Sequence, residues 1–198
     1  MIEVEIRGPL TESEAVALKE QFSTSGKHLG TKEREMILLR GGYPGFDTDP
    51  TKRATDIRLK RTNGKVEVVV KHKLSDGNVG RSELIIPLTN DDLGSAKKLA
   101  VAFGANKGLW MRRVINVYVV DGIEWSITEA IHRTGSPILY LYEAEMTAAA
   151  ETDIPSIREQ LFAAARKLNL EILETDVEMR DFIRGIDTAV NEEIDLTL

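Results

Sequence analysis

The chain has 198 residues, no cysteine and a formal net charge of −6. That length suffices for one domain with a full core, and the missing thiols exclude disulfides, thiolate zinc sites and cysteine nucleophiles. The acidic balance speaks against general nucleic-acid binding, and no apolar run is long enough to span a bilayer, so a cytoplasmic protein is expected.

In chain order, Ile2–Arg7 reads as a strand, apolar at Ile2, Val4 and Ile6 and charged at Glu3, Glu5 and Arg7. Strand side chains alternate with period two, so the three charges share one face. Pro9 ends the strand, and Thr11 with Glu14 forms a capping-box signature for a helix with Ala15, Leu18 and Phe22 on one side. Gly26 to Gly30 reads as loop and a second strand is expected within Glu33–Arg40. Gly41 to Lys52, rich in Gly, Pro and Asp, reads as a long loop.

Three hairpins follow. Asn63-Gly64 joins Thr55–Arg61 to Val66–Leu74, the segment Ser75 to Gly80 leads into Arg81–Leu88, and Asp121-Gly122 joins Leu109–Val120 to Ile123–Ile131. A helix at Asp91–Phe103 is expected between them, capped by Asn90, with Leu93, Ala96, Leu99, Ala100 and Phe103 as its apolar stripe. A last strand is expected near Ile138–Met146. A helix opened by Asp153 and Pro155 turns Ile157, Leu161, Ala165 and Leu168 inward, and another near Val177–Ile186 turns Met179, Phe182, Ile183 and Ile186 inward. The acidic tail from 188 to 198 is expected to be solvated and disordered. The whole is read as one α+β domain: about eight strands, mostly antiparallel, with helices between groups of strands.

The candidate chemistry lies in the strand charges. Arg58-Leu59-Lys60 and Lys71-His72-Lys73 supply paired bases, and Glu143-Ala144-Glu145 repeats the paired acids of the first strand. A solvated sheet face explains any one pair. The accumulation of pairs opposite strongly apolar faces points elsewhere: amphipathic helices cover the outside of a closed sheet and the charges turn inward. Eight strands leave an interior just wide enough for side chains or a small ligand, and charges buried there must pair or coordinate ions. Anionic groups with a divalent cation would suit such a mixed surface. By contrast, Gly41-Gly42-Tyr43-Pro44-Gly45 lacks the Lys-Ser/Thr of a phosphate loop. His28, His72 and His132 show no zinc spacing, and packing roles suit Trp110, Trp125 and Tyr43 better than ring stacking.

On these motifs the chain resembles the CYTH superfamily, the triphosphate tunnel metalloenzymes. Glu3-Val4-Glu5-Ile6-Arg7 resembles the family's opening Glu-x-Glu-x-Lys. Arg58-Leu59-Lys60, the Asn63-Gly64 turn and Lys71 resemble its basic strands, and Arg112 or Arg113 its sixth-strand base. Glu129 to Gly135 followed by Glu143-Ala144-Glu145 resembles its acidic residue, glycine and closing Glu-x-Glu. The resemblance runs from Ile2 to about Leu170.

It implies a closed antiparallel β-barrel, a tunnel that holds a triphosphate, nucleotide or polyphosphate with Mg²⁺ or Mn²⁺. Implied metal ligands are Glu3, Glu5, Glu143 and Glu145, then Glu129 and Glu83. Implied phosphate ligands are Arg7, Arg58, Lys60, Lys71, Lys73, Arg81 and one of Arg112 and Arg113. Glu5, Lys71 and Lys73 are the catalytic candidates for hydrolysis of the terminal phosphate. A class IV adenylate cyclase and a non-catalytic nucleotide or polyphosphate sensor are the alternatives, and a homodimer is allowed for. Arg7 departs from the family's lysine and cannot act as a base, since arginine keeps its proton in proteins. No His-Phe-Glu segment of the cyclase branch is present, the Gly41–Lys52 loop is long, and the C-terminal helix lacks the Ser-Tyr pair.

Overall fold

The computed structural model describes residues 2–73 and 80–198, with Arg81 described by its backbone alone. The expected hairpin turn between Ser75 and Gly80 therefore lies outside the described residues. Strands β1 (Ile2–Leu10), β2 (Lys27–Leu39), β3 (Thr55–Thr62), β4 (Lys65–Lys73), β5 (Gly80–Pro87), β6 (Lys107–Val120), β7 (Ile123–Ile131) and β8 (Ile138–Ala148) form one antiparallel sheet. Its order is β2-β3-β4-β5-β1-β8-β7-β6, and a β2–β6 pairing closes it into a ring. The helices are α1 (Glu12–Ser25), α2 (Leu93–Ala102), α3 (Ile154–Lys167) and α4 (Asp176–Ala189).

Local chemistry accounts for most boundaries. The Thr11–Glu14 capping box is formed, and an unforeseen second one, Thr175 with Glu178, opens α4. Asn63-Gly64 and Asp121-Gly122 both take positive φ at their two central positions, which matches the twist of a two-residue hairpin. Gly8 is needed for another reason. A Cβ there would lie 2.3 Å from the Glu171 carbonyl, which accepts a 2.7 Å hydrogen bond from Tyr142 Oη on the neighbouring strand.

The outer faces of β1, β7 and β8 carry the main core. Val4, Ile6, Trp125, Ile127 and Ala144 pack there against Phe22 of α1 and Leu161 of α3. A second core lies under α2, where Leu59 and Val66 meet Ala96 and Ala100. Leu161 is fully buried, so Leu161→Ala is expected to cost about 2–5 kcal/mol, read as a lower urea midpoint with an unchanged slope. An unchanged midpoint would mean that α3 does not hold the sheet.

Five expectations need correction. Pro9 does not end β1, which stays paired with β8 through Leu10. Gly26 to Gly30 is not a loop: β2 starts at Lys27 and passes a bulge between His28 and Gly30, where glycine takes φ 125°. Helix α2 is capped by Asp92, not Asn90, and its carboxylate accepts from the Gly94 and Ser95 amides. Leu99 and Phe103 are exposed, because α2 reaches the sheet only through its narrower Leu93–Ala96–Ala100 edge. The acidic tail is ordered: Glu192–Asp195 forms a ninth strand, β9, beside Lys107–Trp110 of β6. Val190 and Leu196 are buried and anchor it, so two apolar side chains outweigh the solvation of the acids around them.

Candidate functional site

Alternation along the closed sheet turns one polar row of each strand inward. Glu3, Glu5 and Arg7 of β1 enter the interior together with Glu143 and Glu145 of β8, Arg58 and Lys60 of β3, Lys71 of β4 and Glu83 of β5. These residues line a polar cavity of about 220 Å³. The sequence reading passes over three more of its residues, Lys32 and Arg34 of β2 and Glu124 of β7. The signal for them was present: Lys32-x-Arg34 opposes Ile37 and Leu39 in phase, and Glu124-x-Ser126-x-Thr128 opposes Ile123, Trp125 and Ile127.

Four candidates lie elsewhere or are only partly described. Glu129 has the opposite phase from Glu124, points to the outside, and pairs with Lys19 of α1 at 2.6 Å. Arg112 is exposed on the outer face of β6, while its neighbour Arg113 is buried inside, its guanidinium donating to Asn191 Oδ1 at 2.7 Å. Lys73 lies beyond the polar cavity and donates to the Thr51 carbonyl at 3.0 Å, tying β4 to the β2–β3 loop. The Arg81 backbone pairs with Glu3, and its side chain lies outside the described residues. The aromatic candidates have packing roles. Trp125 is buried against Phe22 and Tyr142, and Trp110 Nε1 donates to Glu35 at 2.7 Å.

The charges are sorted by wall. Glu5 lies directly opposite Glu145, and Glu145 opposite Glu124, so three acids form one row across β1, β8 and β7. Like charges directly opposite each other destabilise a sheet. Burial, together with Glu3 and Glu5 nearby, pushes the Glu145 carboxyl up to about 8. The facing wall of β2, β3 and β4 carries Lys32, Arg34, Arg58, Lys60 and Lys71.

Partial pairing links the walls through Lys71 and offsets charge within the acidic wall through Arg7. Lys71 meets Glu3 at 2.5 Å, and Arg7 bridges Glu5 and Glu143, the latter at 3.2 Å. Burial works against the charge on Arg7, but these carboxylates outweigh it and its pKa is raised. Arg34 is different. It makes no ion pair among the described residues, donates to the Thr62 hydroxyl at 3.1 Å, and burial lowers its pKa. Burial also pulls Arg113 down to about 10 and, with Arg34 nearby, lowers Lys60.

This donor set fits a hard divalent cation. Its acidic row is made of carboxylate oxygens whose mutual repulsion a cation would relieve. Among the described residues no three acidic groups converge on one point. That agrees with the habit of Mg²⁺, which takes one or two carboxylates and completes its shell with water and substrate phosphate.

No family model matches the chain, and no curated protein sequence does. Solved structures do. The PH1819 protein of Pyrococcus horikoshii OT3 is similar at 21% identity with a TM-score of 0.70, over 92% of this chain and 99% of that one. HpAC1 of Hippeastrum, a candidate adenylyl cyclase with a dominant triphosphatase activity, is similar at 16% identity and TM-score 0.54, over 88% and 90%. A chain of the Schizosaccharomyces pombe Mediator head module is similar at 10% identity and TM-score 0.59, over 87% and 98%. These likenesses establish the fold: this chain has the tunnel architecture that its sequence motifs resemble.

Proposed function

We propose that the chain is a metal-dependent triphosphatase that hydrolyses the terminal phosphate of a substrate lodged in the charged tunnel. The observation that carries this reading is the sorting of charge: a basic wall whose half-buried Arg34 makes no ion pair among the described residues faces a row of three carboxylates directly opposite one another. An anion alone would satisfy only the first wall and a cation alone only the second. A triphosphate carrying a divalent cation satisfies both.

Glu5, Glu145 and Glu124 would hold the Mg²⁺ or Mn²⁺, with Glu3, Glu143 and Glu83 close by. Such a cation supplies charge neutralisation at the phosphates and acidifies water near neutral pH. Arg34, Arg58, Lys60 and Lys71 hold the phosphate oxygens and fix the chain in line for attack. Water oxygen then bonds to the terminal phosphorus as the bridging P–O bond breaks. The electron pair leaves on the diphosphate oxygen, and a tunnel carboxylate, Glu5 in the first instance, takes the water proton.

The test is phosphate release from tripolyphosphate, thiamine triphosphate, ATP and long-chain polyphosphate, each with Mg²⁺ or Mn²⁺, with cyclic dinucleotides, which carry no terminal phosphate, tested for binding. Cyclic AMP with pyrophosphate as products would replace this reading with the cyclase.

A non-catalytic sensor is favoured by two observations: Arg7 stands in place of the family's lysine, and a Mediator subunit shares the fold. Arg7→Lys separates the two readings. In a hydrolase whose Arg7 only bridges Glu5 and Glu143, the lysine variant is expected to keep turnover within about tenfold, since the charge remains and only the fork is lost. Tight binding without turnover in the wild type, under both metals and across all substrates, would establish the sensor instead.

A further inference from the structure

Beyond the polar cavity the interior continues into a second chamber of about 160 Å³, to whose wall α4 contributes Met179, Ile183 and Asp187. Five arginines also line it. Three of them are held by carboxylates: Arg7 by Glu5 and Glu143, and Arg53 and Arg58 by Asp56. Arg34 and Arg113 make no ion pair among the described residues. Arg113 is the more buried of the two, with 8% of the residue exposed. Its guanidinium donates to the Arg112 carbonyl at 2.8 Å and to Asn191 Oδ1 at 2.7 Å. Both acceptors are neutral, so burial outweighs the more distant carboxylates and lowers its pKa.

Asn191 stands at the junction of α4 and β9. The backbone is fixed on both sides of it. Val190 is fully buried beside Ala130 and Leu141, with Phe182 and Ile186 of α4 packed on the same core, and Glu192 pairs with Trp110 of β6. The Asn191 amide has two partners of opposite charge. Its Oδ1 accepts from Arg113, while its Nδ2 donates to Asp187 Oδ1 at 2.8 Å. The other Asp187 oxygen accepts from Arg40 at 3.2 Å. The order Arg113–Asn191–Asp187–Arg40 therefore runs cation, neutral amide, anion, cation. An amide suits the second place because it accepts at one end and donates at the other. A carboxylate there would cancel the charge of Arg113 and stand against Asp187.

We infer that Asn191 is a positioning residue: it holds Arg113 at the tunnel wall and leaves its charge uncancelled for a phosphate oxygen of the substrate. The inference rests on the triphosphate reading of the tunnel. An arginine side chain carries about 2 kcal/mol of rotamer entropy, and an acceptor that fixes it before the ligand arrives lowers the cost of binding. A neutral acceptor does so without opposing the incoming anion. The residue that does this lies outside the eight-stranded ring, so the C-terminal segment contributes to the site as well as to the fold.

The test is a double-mutant cycle on the full chain, read by calorimetric titration in Mg²⁺ with short injections to separate binding from turnover. The probes are inorganic tripolyphosphate and ATP. The proteins are the wild type, Asn191→Leu, Arg113→Met and the two substitutions together. Asn191→Leu keeps the outline of the side chain and removes both the acceptor and the donor. It is expected to weaken binding about tenfold beside Arg113, and by less than about twofold in the Arg113→Met background. Asn191→Ala, which adds no bulk, takes its place with the same expected factors if Asn191→Leu does not fold. A side chain that serves only the fold would weaken binding by the same factor in both backgrounds. That equality, or wild-type affinity in either single variant, would overturn the inference and leave the triphosphate reading standing. No binding of either probe to the wild type would remove both.

Discussion

Glu145→Gln is expected to abolish divalent-cation-dependent turnover, by about a hundredfold or more, in a protein that still folds. Glutamine keeps the shape of the side chain and removes the anionic oxygen from the centre of the Glu5–Glu145–Glu124 row. The same substitution has a signature in stability. The folded-state pKa of Glu145 is raised to about 8 from an ordinary value of 4.5, with burial as the first cause and Glu3 and Glu5 as the next. Between those values the native state holds a proton that the unfolded chain has released. The metal-free wild type therefore loses stability as pH rises from about 4.5 to about 8. Glu145→Gln should lack that decline, and saturating Mg²⁺ or Mn²⁺ should remove it from the wild type by favouring the ionised carboxylate. Urea unfolding across pH, with and without the cation, measures this. Full activity in Glu145→Gln, or a decline that the cation leaves untouched, would take Glu145 out of the metal site.

Arg34→Met should weaken triphosphate binding by about a hundredfold, within the 2–5 kcal/mol typical of truncating one partner of a buried charged contact. Its effect on the unliganded protein should have the opposite sign. Arg34 is desolvated without an ion pair among the described residues, bonded only to the Thr62 hydroxyl, so a methionine of similar reach should leave the thermal midpoint equal or higher. Arg7→Met makes the contrast, because Arg7 is held by Glu5 and Glu143 and its loss leaves those two carboxylates facing each other. Calorimetry beside thermal unfolding for both variants separates a residue kept for ligand from one kept for structure. A lower midpoint for Arg34→Met with unchanged affinity would assign Arg34 to the fold alone.

Much of this protein was legible in its sequence because the information is local. A period-two pattern states which residues share a face of β1, β3, β4 and β8, whatever those strands pair with. Asn63-Gly64, Asp121-Gly122 and Thr11-x-x-Glu14 set turns and a cap through backbone chemistry that acts over four residues. The sorting of acids and bases onto inner faces followed once helices were assigned to the outer ones.

What tertiary structure decided was phase and placement. Arg112 and Arg113 are adjacent, and only the register of β6 against β2 and β7 sends the second one inward. Glu129 has the residue type expected of a ligand, but its phase carries it to Lys19 of α1, while Glu124 takes the inner position. The tail reads as solvated because its acids dominate any local average. The open flank of β6 beyond β7 accepts it as β9, and Val190 and Leu196 find cores contributed by distant segments. The chamber under α4 could not be read at all, since Met36, Met111 and Met179 stand far apart in the chain and meet only when the ring closes and α4 lies across its end. Local chemistry acts over a few residues, whereas a tunnel is a property of the closed sheet, and its contents depend on which distant strands become neighbours.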